Sequence, residues 1–296
     1  MQFFKKFDTQ EEYDSCLSNN EIIFPNVSLV SNKLHYNPID HLSLVPLYIE
    51  AIEELSVSFS LNPIEYSLDN NTWVELPVDT STPVIQPNEK IYFRAKGLSA
   101  GSANGIGGFF ITGKCNIGGN AMSMIWGDEF RQHDTMPLEH NLRKLFFEQS
   151  NVINAERMIV ASKNVTQYGC AGMFIRAHGI VKGCKLPATI ISPYAYDSMY
   201  RSASNLEIGS DLPATDLTGA RYCYNGMYAY CPKMRHLKSM ILTPEPNNTN
   251  NWGAQTGNWL LDVASEGVFV KNINAAWDIT GPHGVPEGWT VKFAYV

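Results

Sequence analysis

The strongest constraint on the fold is a repeat of 26 to 28 residues in the second half of the chain. A pair of large apolar side chains marks each repeat, and the pairs are Phe146/Phe147, Met173/Phe174, Met199/Tyr200 and Met227/Tyr228. An independent marker, Leu-Pro-Ala-Thr, recurs with a step of 26 residues, at Leu186 and Leu212. Since a single unit this short cannot bury its own apolar face, the repeat predicts a solenoid in which successive units stack.

The last repeat contains two cysteines in the stretch RYCYNGMYAYCPKM, residues 221–234. If residues 222–231 form a short helix, Cys223, Met227 and Cys231 share one face. On that helix the two cysteine Cα atoms lie about 12 Å apart, too far for a disulfide. Neighbouring sequence offers no second cysteine pair for a metal ion. We therefore predict buried, free thiols, and a solenoid core made of Phe146, Met173, Phe174, Met199, Tyr200, Cys223, Met227, Tyr228 and Cys231.

Residues 46–127 show the pattern of short strands. Apolar side chains alternate, as at Val57 and Phe59 and again at Ile91 and Phe93, and Asn, Pro and Gly turns recur every 8 to 12 residues or so. This predicts a small antiparallel β-sandwich. Residues 1–45 hold two short extended pieces with too little apolar surface to fold alone, so they need a partner surface. The fold class predicted is mainly β with short helices.

Charge and hydropathy exclude two classes of partner. The net charge is −7, and no dense Lys/Arg stripe is present to bind a phosphate backbone, so we expect no nucleic acid. No apolar run approaches the ~18 residues of a membrane span. The opening MQFFKKFDTQEEYDS turns acidic without an apolar core, so we expect no secretory signal.

Chemistry-bearing residues cluster at one place, DEFRQHDTMPLEH, residues 128–140. Solvated charges on a linker are the simpler interpretation, and we predict no catalytic residue, no metal ion and no cofactor. The alternative, a hydrolase, predicts loss of activity on His133→Ala. Sugar binding fits the composition better, because aromatic rings and amides suit sugar hydroxyls and C–H faces. The candidate glycan contacts are Trp73, Tyr194, Tyr196 and Trp252.

The segment LPATDLTGARYCYNGMYAYCPKM resembles a unit of the BspA-like leucine-rich repeats. The resemblance is carried by Leu212, Pro213, Ala214, Cys223, Tyr224, Met227, Tyr228 and Cys231. Earlier units are degenerate, because LPATIISPYAYDSMY lacks both cysteines and Cys170 lies one place closer to Met173. Residues 64–97 are similar to the β domain that precedes such repeats in gut Bacteroides and phage proteins, and residues 258–291 to their terminal unit.

The first 40 residues resemble the opening segment of virion fibre proteins of crAss-like gut phages. That resemblance implies a head fibre, a capsid-decorating fibre or a tail-associated fibre on the particle surface, assembled in the host cytoplasm. The implied parts are an anchor (1–45), a β-sandwich (46–127), a leucine-rich-repeat solenoid (128–245) and a capping unit (246–296). Expected partners are other virion proteins, further copies of the chain, and a host-surface glycan. The alternative is a bacterial adhesin or glycan-binding module outside any virion. The implied anchor residues are Phe24, Pro25, Asn26, Val27, His35, Tyr36, Asn37 and Pro38.

Overall fold

The computed structural model describes residues 27–30, 33–36, 41–99, 105–138, 140–243 and 255–295. The chain divides into two units, residues 1–41 and residues 42–296. Strands dominate, and the described part is mainly β. The strands are β1 Val27–Val30, β2 Lys33–Tyr36, β3 Leu47–Ala51, β4 Val57–Phe59, β5 Ile64–Ser67, β6 Val74–Leu76, β7 Lys90–Ala95, β8 Phe109–Ile111, β9 Cys115–Asn120, β10 Val152–Ile159, β11 Asn164–Val165, β12 Ile190–Ile191, β13 His236–Ser239, β14 Gly267–Asn272 and β15 Trp289–Ala294. The helices are a 3-10 helix at His41–Leu44, the four-residue α1 at Ser123–Trp126 and a 3-10 helix at Gly127–Gln132.

The first unit contains a two-stranded antiparallel hairpin. β1 pairs with β2, and Val27 lies opposite Tyr36. Both segments are extended, as predicted. Of the predicted anchor residues, Val27, His35 and Tyr36 belong to this hairpin, whereas Phe24, Pro25, Asn26, Asn37 and Pro38 lie outside the described residues.

The second unit begins with a six-stranded sheet in the order β10-β9-β3-β7-β5-β6 and a separate pair, β4-β8. The pair packs on the sheet through aromatic rings, since the ring centroid of Phe109 in β8 lies 5.0 Å from that of Phe93 in β7, edge to face. Within the pair, the Phe109 centroid lies 4.8 Å from that of Phe59 in β4. All pairings among β3 to β9 are antiparallel, whereas β10 joins β9 in parallel. This parallel pairing extends the sheet into the repeats. Residues 42–296 form one compact unit, so the predicted boundaries at 127/128 and 245/246 fall inside it.

Each repeat contains a run of consecutive four-residue turns, and we call one such run a coil. The sequence predicted a helix at this place in the last repeat, over 222–231. Within the coils, every fourth residue has a left-handed backbone conformation, with φ between 54° and 62°. An α-helix cannot contain such residues, so the helix prediction is wrong. The sequence misled because a four-residue turn places Cys223, Met227 and Cys231 on one side almost as a 3.6-residue helix does. The left-handed residues are Tyr168, Gly172 and Arg176; Tyr194, Ser198 and Ser202; Tyr222, Gly226 and Tyr230.

Backbone hydrogen bonds alternate between the turn and the next coil. Tyr228 donates its N–H to the carbonyl of Trp259 in the next coil (2.9 Å), and Ala229 donates to Gly226 within its own turn (3.1 Å). The same alternation recurs in the preceding coils. Each coil therefore satisfies half of its amides locally and half through its neighbour, as burial of backbone requires.

The interior of the coils is a column of stacked rings. Phe146, Phe174, Tyr200 and Tyr228 lie 5.1 to 5.5 Å apart at interplanar angles of 4° to 7°. The first repeat pair is thus one residue out of register, because Phe146 aligns with Phe174, and Phe147 is half-buried on the outside. Cys223 and Cys231 are both buried in this interior, and neither forms a disulfide. All nine predicted core residues are at most 1% exposed.

The stack ends in a parallel sheet, β13-β14-β15. Three tryptophans close this end from inside, each donating its indole N–H to a carbonyl: Trp259 to Gly284 (2.9 Å), Trp277 to Ile241 (3.0 Å) and Trp289 to Ala264 (2.7 Å). Within the described residues, no helix has the length and apolar character needed to cross a bilayer.

Candidate functional site

The most prominent surface feature is a second ring column, on the outside of the coils, which we call the tyrosine ridge. It consists of Tyr168, Tyr194 and Tyr222, whose centroids are 5.0 Å apart at interplanar angles of 21°. All three rings are half-buried. The guanidinium of Arg143 lies over the Tyr168 ring, 5.2 Å from its centroid. Tyr168 and Tyr222 therefore cover the two faces of the Tyr194 ring, and the edge and hydroxyl of that ring point outward.

The four-residue turn explains why these tyrosines project outward together. Inward positions come in pairs, such as Met199 and Tyr200, and outward positions follow in pairs, such as Arg201 and Ser202. Each ridge tyrosine is left-handed, which costs a side chain about 1 to 2 kcal/mol relative to glycine. Stacking between rings, worth about 0.5 to 1.5 kcal/mol per pair, offsets much of that cost.

Beside the ridge, a carboxylate and an amide form a rung between coils. The amide of Asn225 donates to the carboxylate of Asp197 at 2.7 Å. Burial raises the pKa of Asp197, and the Asn225 hydrogen bond together with Arg201 and Arg143 partly offsets the shift. Asp197 is thus a half-buried carboxylate that holds its proton more readily than a free one. The ridge and this rung present a hydroxyl, a carboxylate and an amide side by side, a set suited to hydrogen bonding with hydroxyl-rich ligands.

The predicted glycan contacts separate in the structure. Tyr194 is the middle ring of the ridge. Tyr196 is only 1% exposed, and its ring lies inside, stacked on Tyr224 at 5.7 Å, so its assignment as a glycan contact is corrected. The physical reason is the paired turn pattern, which turns Tyr196 inward although it is two residues from Tyr194. Trp252 lies outside the described residues.

Trp73 lies between β5 and β6, within the sheet region. Its ring is half-exposed, and the guanidinium of Arg94 covers it at 4.2 Å from the centroid. Arg94 is held there by Glu65, with Nε and Oε2 2.7 Å apart. Trp73 thus carries a cation–π contact. None of the described contacts joins it to the ridge.

Sequence reasoning missed Tyr168 and Tyr222. Their spacings from Tyr194, 26 and 28 residues, match the repeat period and could have identified the column. It also missed an interior polar cluster, in which the Tyr200 hydroxyl accepts the N–H of Cys184 at 2.9 Å and lies 2.9 Å from the Ser210 Oγ. Burial raises the pKa of the Cys184 thiol to about 12, so this thiol stays protonated and unreactive.

The acidic and histidine-rich segment has local structural partners. His133 stacks on Trp126 with centroids 3.6 Å apart, and Asp134 pairs with Lys163 at 2.7 Å. Glu139 lies outside the described residues. Among the residues that are described, no three His, Cys, Asp or Glu side chains gather as a metal-ion site.

An open groove of about 710 Å³ lies near the C-terminal sheet. Its lining contains both charges, the acidic Glu207 and Glu266 and the basic Lys233 and Arg235. Arg235 and Glu207 form an ion pair. The groove therefore has no net charge that would select an anion or a cation.

Comparison of the chain with models of known protein families, with curated proteins and with solved structures finds no match in any of the three.

Proposed function

We propose that this chain is a non-enzymatic virion protein of a tailed phage, a head fibre or capsid-decorating fibre. In this proposal the coils form a leucine-rich-repeat solenoid built on a β-sandwich, and residues 246–296 cap it. Residues 1–45 attach the fibre to other virion proteins. The protein lies on the particle surface after assembly in the host cytoplasm.

The observation that carries the proposal is the coil stack itself. Its interior is filled by rings and protonated thiols in continuous columns, from Phe146 through Tyr228. Such an interior supplies rigidity and leaves its chemistry inert. The outer surface instead repeats the same side chains at a fixed spacing, which suits display of a recognition surface to a repetitive partner.

The ridge is the part of the surface that we assign to host contact. Because neighbouring rings cover both faces of Tyr194, a sugar would be bound through the ridge hydroxyls and the Asp197–Asn225 rung, and not by stacking on a ring face. Single contacts of this kind are weak. Many copies on one particle would raise the avidity by factors of about 10² to 10⁴.

Deletion of residues 1–40 tests the attachment role. The truncated protein should fold, because residues 42–296 form their own compact unit, yet it should be missing from purified particles. The matched control is the full chain with Tyr194→Phe, which should be incorporated normally. Truncated protein that copurifies stoichiometrically with particles would contradict the anchor.

Binding to arrayed host polysaccharides tests the recognition role. Tyr194→Phe keeps the stacked ring and removes one hydroxyl, so we expect weaker binding with an unchanged melting temperature. The rival function is a bacterial adhesin or glycan-binding module. Absence of the protein from purified particles by mass spectrometry, together with array binding, would favour that rival.

A further inference from the structure

The inner face of the coil stack is buried up to β14 and becomes exposed at β15. Strand register places Leu237, Phe269 and Val291 in one row across the parallel sheet. Their exposed fractions are 0%, 0% and 39%. In the next row, Lys271 is 8% exposed and its neighbour Phe293 is 60% exposed. The last strand thus carries core-type side chains on its inward side, and no layer formed by the described residues covers them.

The backbone edge of β15 is open as well. β15 is the outermost strand of its sheet, and within the described residues no strand pairs with its second edge. Tyr295, the residue after β15, is 77% exposed; if pairing extends the strand by one residue, Tyr295 continues the apolar row beyond Phe293, because alternate residues of a strand share a face. An apolar edge strand of this length is a template for pairing with another strand.

We propose that this edge binds a second copy of the same chain, with β15 of each protomer pairing antiparallel around a two-fold axis. The occupant must supply a strand with a free edge and apolar side chains on the same face. β15 of a second protomer supplies both, so the surface is self-complementary in the way a two-fold interface requires. The dimer would form in the isolated protein, whether or not the protein belongs to a virion.

Charge selects the register of this pairing. In an antiparallel pair, residues directly opposite each other have side chains on the same face of the sheet. A two-fold axis normal to the sheet therefore has to place one residue of β15 opposite the same residue of the other protomer. Centring on Lys292 would place two ammonium groups opposite each other, which is destabilising. Centring on Phe293 pairs the two phenylalanines, sets Val291 against Tyr295 and places Lys292 against Ala294. Only the Phe293 register covers all three exposed apolar residues and separates the lysines.

Disulfide cross-linking of single-cysteine variants of the full chain tests both the surface and the register. Phe293→Cys should give a covalent dimer under mild oxidation, because opposite residues of an antiparallel pair have Cβ atoms close enough for a disulfide. Lys292→Cys is the matched control, since it is also exposed but lies opposite Ala294, and it should cross-link far less. The native chain, run alongside, accounts for its own thiols.

Sedimentation equilibrium of the native chain should show a monomer–dimer equilibrium. Phe293→Asp should raise the dimer dissociation constant at least about 100-fold, because two carboxylates would meet in an apolar contact. Val74→Asp, on the exposed side of the β6 edge strand, should leave it unchanged. A native chain that stays monomeric, a dimer that survives Phe293→Asp, or equal cross-linking at residues 292 and 293 would overturn the proposal. Pairing of β15 with a different protein, in place of a second copy of the chain, would also overturn the proposal.

Discussion

Removal of a single buried hydroxyl should destabilise the coil stack measurably. The Tyr200 hydroxyl accepts the backbone N–H of Cys184 at 2.9 Å, donates to the Cys184 Sγ at 3.2 Å and lies 2.9 Å from the Ser210 Oγ. Tyr200, Cys184 and Ser210 are all at most 2% exposed, so water cannot replace the lost partner. Tyr200→Phe keeps the stacked ring and leaves the Cys184 N–H without its acceptor.

A buried polar group left without a partner costs about 1 to 3 kcal/mol, so we expect Tyr200→Phe to lower the free energy of unfolding by about 2 kcal/mol. For a compact unit of this size the melting temperature should fall by about 4 to 8 °C. Guanidinium denaturation followed by tryptophan fluorescence measures the change.

The matched control is Tyr222→Phe in the tyrosine ridge, where the ring is half-buried and the expected loss is under about 0.5 kcal/mol. A double-mutant cycle with Ser210→Ala should show coupling between the two hydroxyls. Equal losses for Tyr200→Phe and Tyr222→Phe would refute the assignment of the interior hydroxyl as a structural hydrogen-bonding group.

Three further experiments probe other parts of the stack. Burial raises the pKa of Asp197, so the folded protein binds this proton more tightly than the unfolded chain does, and the free energy of unfolding falls as pH rises from the unfolded pKa to the folded one. Asp197→Asn should remove that loss and be more stable than the native chain at neutral pH, which urea denaturation across the acid range would show. Gly183→Ala should cost about 3 kcal/mol, because the new Cβ would meet a backbone nitrogen at 2.9 Å, whereas Gly219→Ala, in open space at φ +76°, should cost about 1 kcal/mol by thermal denaturation. Burial raises the pKa of the Cys184 and Cys231 thiols to about 12, so alkylating reagents should modify neither thiol in the folded protein and both after unfolding. Residue-level mass spectrometry would record the modification. Immediate modification in the folded state would contradict a closed interior.

The stacking of repeats was predictable because the spacing of large apolar residues survives when the rest of the unit diverges. Burial of Cys223, Met227 and Cys231 on one side followed from their four-residue spacing. The same spacing could not separate a helix from consecutive turns, since 3.6 and 4 residues per turn differ little over three positions. Glycines at 172 and 226, where φ is positive, were the local signal for turns.

The tyrosine ridge was harder to predict. Its members take left-handed backbone angles that tyrosine seldom adopts, so the sequence carries no turn signal at Tyr168, Tyr194 or Tyr222. Contacts between coils stabilise those angles, and such contacts follow from the stack and not from local propensity. The inward orientation of Tyr196 likewise depends on the paired turn pattern, which strand or helix periodicity does not reproduce.

The alternating hydrogen bonds have a consequence for how such a gene can change length. Each coil pairs its amides within its own turns and with one adjacent coil. One coil, which adds 5.1 Å to the stack between Phe174 and Tyr200, is therefore a unit that duplication can copy. An in-frame duplication of one repeat would therefore lengthen the protein by a single layer, while an insertion of a few codons inside a turn would disrupt two layers at once.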